Sequence, residues 1–494
     1  MGSHMVSTAE IARKWNISER RVTELCRSGR VHGAEKLSFC WLIPDDAQKP
    51  KDGRCSRGLA SEDLPAIEYS SNSYYNVNTM KPLPVGLSNY KRAFSDYHLV
   101  DKTLLIRDLI DNASIATLVT RPRRFGKTLN MSMLRTFFEA SGENLARYFR
   151  GTKIWNCGER YLSHMGKYPV ISLTFKDVKA DTWAEASSLI NRQIRSVCDE
   201  LRELVQPEIA IESEASRSFQ RLLQDAADEA DYAGSIRTLC KLLHKSTGSL
   251  VIVLIDEYDT PIEQGHLHGY YNEVVAFMRK LLGSALKDND DLKFGFLTGI
   301  LRVAKEGIFS GLNNIQVFTV LDDRYSDYYG FTPDEVKELA EYYEVADSYE
   351  ELCNWYDGYR FGNSEIFNPW SVISFLSEKG TPRQYWVNTG ESPVLKQLIR
   401  QADADTSKKL QRLIEGGEIS AIVNENVDHT CISDNSDWML SQLLMTGYLT
   451  IAEKAKVQPF GTCLLTRLKI PNREVQGSFQ HAPFDMAQTI IHHS

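Results

Sequence analysis

Two periodicities run through this chain. Between Leu83 and about Asp322, short continuous apolar runs alternate with longer amphipathic stretches. Ile115-Ala116-Thr117-Leu118-Val119-Thr120, Leu250–Ile255 and Leu292–Leu297 predict buried strands. Thr182–Val205 (TWAEASSLINRQIRSVCDELRELV) repeats its apolar residues at helical spacing and predicts one amphipathic helix packed on the sheet. That alternation predicts an α/β domain. Beyond Phe331 helical patterns dominate, as in TPDEVKELAEYYE, and predict a helical lid.

The start of the chain has a different pattern. Ser7-Thr8-Ala9-Glu10 is a capping box, and Ala9, Ile11, Ala12 and Trp15 then mark a short helix. Asn16-Ile17-Ser18 breaks it. Glu19–Arg27 predicts a second helix with Val22, Leu25 and Cys26 inward, stopped at Gly29. Val31 to Ile43 predicts a small hairpin. Two short helices with a tight turn and a wing form a helix-turn-helix pattern, in which the second helix enters the major groove of DNA. Arg20, Arg21 and Thr23 are the expected base-facing set, with Lys36 on the wing against phosphate. A solvated basic face on a protein-docking module is the alternative. Residues 45–80, rich in Pro, Ser, Asn and Lys, predict a linker.

Composition narrows the classes. The 494 residues are 42% apolar and 25% charged, which suits a globular chain of several domains. The longest apolar run, Leu250–Ile255, is far too short to cross a membrane. Nine scattered cysteines include no C-x-x-C pair, so neither a zinc framework nor a disulfide scaffold is expected. A cytoplasmic protein follows. The net charge of -8 argues against wholesale nucleic-acid coating and leaves room for a local basic module, since basic residues outnumber acidic ones up to Pro44. Met1–Met5 (MGSHM) resembles a cloning remnant and is set aside.

The candidate chemistry lies at the strand ends. Ile115–Thr120 runs into Arg121-Pro122-Arg123-Arg124-Phe125-Gly126-Lys127-Thr128, and Leu129, Met133, Leu134 and Phe137 continue as a helix. Strand, loop, G-K-T and helix are the parts of a P-loop. Backbone amides at a helix N-terminus hold phosphate, Lys127 reaches the β- and γ-phosphates, and the Thr128 hydroxyl holds Mg²⁺. Arg123 through Leu129 form the expected ATP-binding set. Arg121 stands where the pattern G-x-x-x-x-G-K-[ST] has its first glycine. Ser249–Glu257 is an apolar strand ending in two acids, the Walker B arrangement: Asp256 serves the Mg²⁺ shell, and Glu257 orients or deprotonates the attacking water. Leu292–Gly299 adds a third strand, with Thr298 as a γ-phosphate sensor. Arg302 and Lys305 are cationic candidates for transition-state charge.

Val100-Asp101-Lys102-Thr103, Arg121–Thr128, Asp256-Glu257-Tyr258-Asp259-Thr260-Pro261, Thr298–Asn314, Trp355–Tyr359 and Thr446–Leu449 together resemble the bacterial AAA-ATPase-like family, over about residues 81 to 475. That family usually carries a C-terminal PD-(D/E)XK nuclease-like domain. The resemblance implies an additional-strand P-loop fold that binds ATP, and it makes Arg121 a family trait. The family's domain association also suggests a role in nucleic-acid processing, mobile elements or anti-phage defence. The N-terminal segment resembles the winged helix-turn-helix of mercury-resistance-type regulators and excisionases. The expected organisation is a winged helix-turn-helix over 6–44, a linker over 45–80, a P-loop core over 81–325, a helical or winged-helix-like lid over 326–470, and a nuclease-like remnant over 471–494. After Lys469 no lysine remains, so nuclease activity is not expected. The expected function is Mg²⁺-dependent ATP hydrolysis coupled to DNA, with a protein partner or self-association as further possibilities. A non-hydrolysing ATP-controlled switch is the alternative.

Overall fold

In the computed structural model the described residues are 5–15, 22–23, 25–26, 31, 34–37, 40–44, 47, 49, 80–209, 212–302, 308–309, 312–386, 402–424, 436–452, 458–460 and 463–480. The chain divides into two compact units, residues 1–77 and 78–494.

In the first unit, strand β1 (Met5–Ser7) leads into a helix at Thr8–Trp15, and β2 (Glu35–Leu37) and β3 (Cys40–Pro44) follow. The sheet is antiparallel in the order β1-β3-β2, with Met5 opposite Pro44. Met5 thus belongs to the sheet. The capping box forms: the Ser7 amide donates to Glu10 Oε2 at 2.9 Å, and the Glu10 amide donates to Ser7 Oγ at 3.4 Å. Ile11, Trp15, Val22, Leu25, Cys26 and Ile43 close a small core. Val22, Thr23, Leu25 and Cys26 are helical, and Lys36 lies on β2. Ser18, Arg20, Arg21 and Gly29 lie outside the described residues, as does most of the linker.

The second unit is organised by a parallel sheet: β4 (Ala116–Thr120), β5 (Val170–Thr174), β6 (Val251–Asp256), β7 (Leu292–Gly299) and β8 (Ile315–Phe318), in the order β5-β6-β7-β4-β8. All four pairings are parallel. β4 and β6 are buried along their whole length, as expected of strands covered on both faces. Side chains alternate between two cores. Val119, Ile252, Leu254 and Phe296 pack with the helix Lys127–Phe138 and the C-terminal region. Leu118, Val253, Ile255 and Leu297 pack beneath the helices Trp183–Glu200, Glu229–Thr247 and Tyr271–Leu286. The segment expected as one helix over 182–205 breaks at Leu201, whose ψ of 0° leaves the helical region while its side chain stays buried. A second helix, Arg202–Ile209, follows.

The region after Phe331 contains strands as well as helices. β9 (Tyr359–Phe361) and β10 (Ser364–Ile366) form a hairpin, while β11 (Ile419–Val423), β12 (Thr450–Ile451), β13 (Gln458–Phe460) and β14 (Cys463–Lys469) form an antiparallel sheet. Among the described residues, no helix is long and apolar enough to cross a membrane.

Candidate nucleotide-binding site

The sheet order places β7 between the strand that feeds the phosphate loop, β4, and the strand that ends in Asp256, β6. The carboxyl ends of these three strands meet at a topological switch point, the usual ligand position in such sheets. The result is a mixed α/β fold with a five-stranded parallel sheet, consistent with a P-loop NTPase-like fold.

The loop ends at Gly126, whose φ of +84° is open to glycine at little cost. Helix Lys127–Phe138 begins there with no side-chain cap, so the amides of its first turn remain available to an anion. Lys127 is buried, and its ammonium donates to the carbonyls of Arg121 and Pro122, both at 2.9 Å. Burial lowers its pKa, opposed by the nearby charges of Glu257, Asp256 and Asp259. A polyphosphate entering the loop would compete with those two carbonyls for the same ammonium.

Two strands and the phosphate-loop helix are stitched together at one carboxylate. The Thr128 hydroxyl donates to Asp256 Oδ2 at 2.7 Å. The buried Thr298 hydroxyl donates to the other oxygen, Oδ1. Next along the chain, Glu257 is held at φ +52°, a left-handed conformation that a non-glycine residue adopts only under constraint. Thr260 Oγ1 lies 3.4 Å from its Oε2. Both Glu257 and Thr128 line the cleft described below.

Asp259 carries a structural role not assigned from the sequence. Its Oδ2 accepts from the amides of Ile300 and Leu301 at 2.7 and 2.8 Å. The Tyr258 hydroxyl donates to the Leu301 carbonyl at 2.7 Å. A Cβ on Gly299 would come within 2.7 Å of both Asp259 and Tyr258, so this close approach requires glycine. The loop after β7 is thereby fixed to the turn after β6. Burial raises the Asp259 pKa to about 6, against the two amides that favour its charge. The only sequence signal for it was its place in the run Asp256–Pro261.

The arginines of the loop separate. Arg121 is wholly buried, its guanidinium donating to the Thr120 carbonyl at 2.7 Å and the Phe318 carbonyl at 3.3 Å, with the Tyr329 and Phe361 rings 5.4 and 5.3 Å away. It packs the loop and does not line the cleft. Arg123 pairs with Glu263 at 3.2 Å. Arg124 is exposed, at φ +69°, with its guanidinium 4.4 Å from the centre of the Trp370 ring. Phe125 is buried edge-on against Tyr359 but still borders the cleft, as does Leu129. Arg302 is partly buried and does not line the cleft, whereas Ile300 and Leu301 do. Lys305 lies outside the described residues.

The C-terminal region closes over the loop. The Trp386 indole N–H donates to the Arg123 carbonyl at 3.2 Å. The Trp386 amide donates to Glu474 Oε1 at 2.6 Å, and the Ser371 hydroxyl donates to Oε2 at 2.6 Å. Burial raises Glu474 to about 7. Neither Trp386 nor Glu474 had a local signal in the sequence. Between the loop and the C-terminal region lies a cleft of about 890 Å³, bounded also by the strap Leu83–Ser88 and the segment His98–Thr103.

The donor set fits Mg²⁺. Among the described residues there is no group of three or more His, Cys, Asp or Glu side chains able to hold a metal. A hydroxyl and one carboxylate beside a phosphate loop suit Mg²⁺, which is commonly held by one or two carboxylates plus substrate phosphates.

The comparisons agree with this class of fold. Residues 84–309 match the family model described as "Predicted AAA-ATPase". The chain is also 29% identical over 408 residues to an uncharacterized protein in the vnfD 5' region of Azotobacter chroococcum mcd 1, covering 81% of this chain and 70% of that protein. The family match supports nucleotide and ATP binding; the relative's printed name carries no activity.

Proposed function

We propose that this chain is a Mg²⁺-dependent ATPase whose turnover responds to DNA through its N-terminal unit. The observation that carries the ATPase reading is the Asp256 carboxylate held by Thr128 from the phosphate-loop helix and by Thr298 from the intervening strand. The first-turn amides and Lys127 bind the phosphates, and Thr128 and Asp256 would hold the metal. Mg²⁺, when bound, supplies charge neutralisation on the transferring phosphoryl group. Glu257, projecting from a constrained turn at the cleft wall, orients the attacking water and receives its proton.

The contact from Trp386 to the loop, with the Trp386 amide held in turn by Glu474, favours a second role for the same cleft, in which ATP sets the state of the C-terminal region without being hydrolysed. Glu257→Gln separates the two readings. In an ATPase it abolishes turnover and leaves ATP bound; in a switch it changes neither binding nor output.

The DNA reading rests on the helix, the strand-borne Lys36 and the helical Thr23 of the first unit. Its test is binding to double-stranded DNA that falls steeply with salt and weakens in Arg20→Ala/Arg21→Ala. Binding to neither DNA nor salt-dependent competitors would favour protein docking. A cytoplasmic setting in mobile-element or anti-phage defence is proposed on the family resemblance.

A further inference from the structure

The cleft has two chemically different ends. One is the phosphate loop. The other is walled by Val85, Val100, Phe331, Leu339, Ile373 and Trp370. The charged side chains of Asp101 and Lys102 at that end are already satisfied within the protein. Asp101 Oδ1 accepts from the Thr103 amide and hydroxyl at 2.8 and 2.6 Å, and its Oδ2 accepts from the Lys153 amide at 2.6 Å. The Lys102 ammonium donates to Glu335 at 2.6 Å. What remains is apolar and aromatic surface, suited to a flat, neutral group and not to an ion.

Trp370 is the aromatic face in this wall. It stands at the start of the helix Pro369–Ser377 and is half-buried. Its indole N–H donates to the Tyr385 carbonyl at 3.2 Å, which fixes the ring plane. Gly86 of the strap borders the ring: a Cβ there would lie 3.9 Å from Cζ3. The Arg124 guanidinium covers the ring from 4.4 Å. Arg124 itself is exposed, and among the described residues it has no hydrogen-bond or ion-pair partner. It belongs to the phosphate loop, three residues before Lys127. A polyphosphate offers it the anion it lacks, and a charge-assisted bond to phosphate outweighs a cation–π contact at an exposed site.

We propose that Trp370 is the stacking platform for the purine base of the bound nucleoside triphosphate, and that Arg124 covers this platform until phosphate draws its guanidinium away. The proposal rests on the reading of the cleft as a nucleotide site. It deepens that reading by assigning the base to the lid side, on a residue far in sequence from the loop. The larger ring system of a purine covers more of the indole than a pyrimidine does, and base–aromatic stacking tolerates any base with a π-face.

The test compares ATP with inorganic tripolyphosphate, which shares the phosphates and lacks the base. Calorimetric titrations use the full chain and its Trp370→Ala, Trp370→Phe and Lys127→Ala variants. Trp370→Ala is expected to weaken ATP about five- to a hundredfold and to leave tripolyphosphate affinity undiminished, or raised by up to about fivefold because the indole no longer holds Arg124. Trp370→Phe is expected to retain most of the ATP affinity, which a purely structural role for the indole N–H would not allow. Unchanged ATP affinity in Trp370→Ala, or an equal loss for ATP and tripolyphosphate, overturns the proposal. If Lys127→Ala leaves both ligands bound as before, the phosphate site itself is wrong and the proposal falls with it.

Discussion

The Thr128 hydroxyl reaches past the one intervening strand, β7, to donate to Asp256 Oδ2 at 2.7 Å, so the first turn of the phosphate-loop helix and the end of β6 share one carboxylate. Thr298 completes the arrangement from the strand between them. A side chain that orients a metal-binding carboxylate tunes affinity without touching the metal. Thr298→Val keeps the shape of the side chain and removes the donor. It is expected to raise the Mg²⁺ concentration needed for half-maximal turnover by about 10- to 100-fold. Titrating turnover against Mg²⁺ at saturating ATP measures this, and an unchanged Mg²⁺ requirement would remove Thr298 from the site.

Arg121 occupies the position where the common P-loop pattern has glycine. It is wholly buried, and its charge is met by backbone carbonyls and the Tyr329 and Phe361 rings, with no carboxylate in hydrogen-bond contact among the described residues. Burial lowers its pKa to about 10, so it remains charged at neutral pH. Replacing it by glycine restores the pattern but leaves a cavity and unpaired carbonyls. Arg121→Gly is expected to destabilise the second unit by about 3 kcal/mol or more. Urea unfolding followed by circular dichroism would show this as a lower midpoint. A midpoint equal to that of the parent would mean that Arg121 is dispensable for packing.

Glu474 ties the helix Arg473–Gln480 to Ser371 and Trp386. Its folded-state pKa of about 7 lies above the ordinary glutamate value of 4.5 because burial disfavours the charge. The unfolded chain therefore loses this proton at lower pH than the folded chain does. The contribution to stability is largest below pH 4.5, declines as pH rises from there to about 7, and stays at its reduced level above. Glu474→Gln removes that decline. Thermal melts from pH 5 to 8 are expected to show a flatter pH profile in the variant, with its gain over the parent greatest near pH 8. A parallel profile in both proteins would place the titration elsewhere.

The parts of the site carried by contiguous sequence were legible from it. The runs Ile115–Thr120 and Ser249–Glu257 are strands whose neighbours in the chain are also their neighbours in the site, so β4, the loop and the Asp256–Glu257 pair followed from local pattern. Arg121 was not legible as a packing residue, because its partners Phe318, Tyr329 and Phe361 lie some 200 residues away. The same holds for Trp386, brought to the Arg123 carbonyl by the tertiary fold, and for Glu474, which holds the Trp386 amide from 88 residues away. In the C-terminal region, β11 alternates Ile419, Ala421 and Val423 inward with Ser420 and Ile422 outward. The exposed Ile422 and the exposed Leu465 opposite it on β14 mask that alternation, so helical pattern was assigned where a sheet also forms.

The central claim is that the cleft hydrolyses ATP through Lys127. Its ammonium is buried against two loop carbonyls and is the one cation of the loop held at the start of the helix. The most direct test measures phosphate release by the full chain with ATP and Mg²⁺, with and without double-stranded DNA, beside Lys127→Ala. The account predicts turnover that rises with DNA and falls by about 10²- to 10³-fold in the variant, the range for loss of one transition-state contact. Turnover equal in the parent and Lys127→Ala would contradict it.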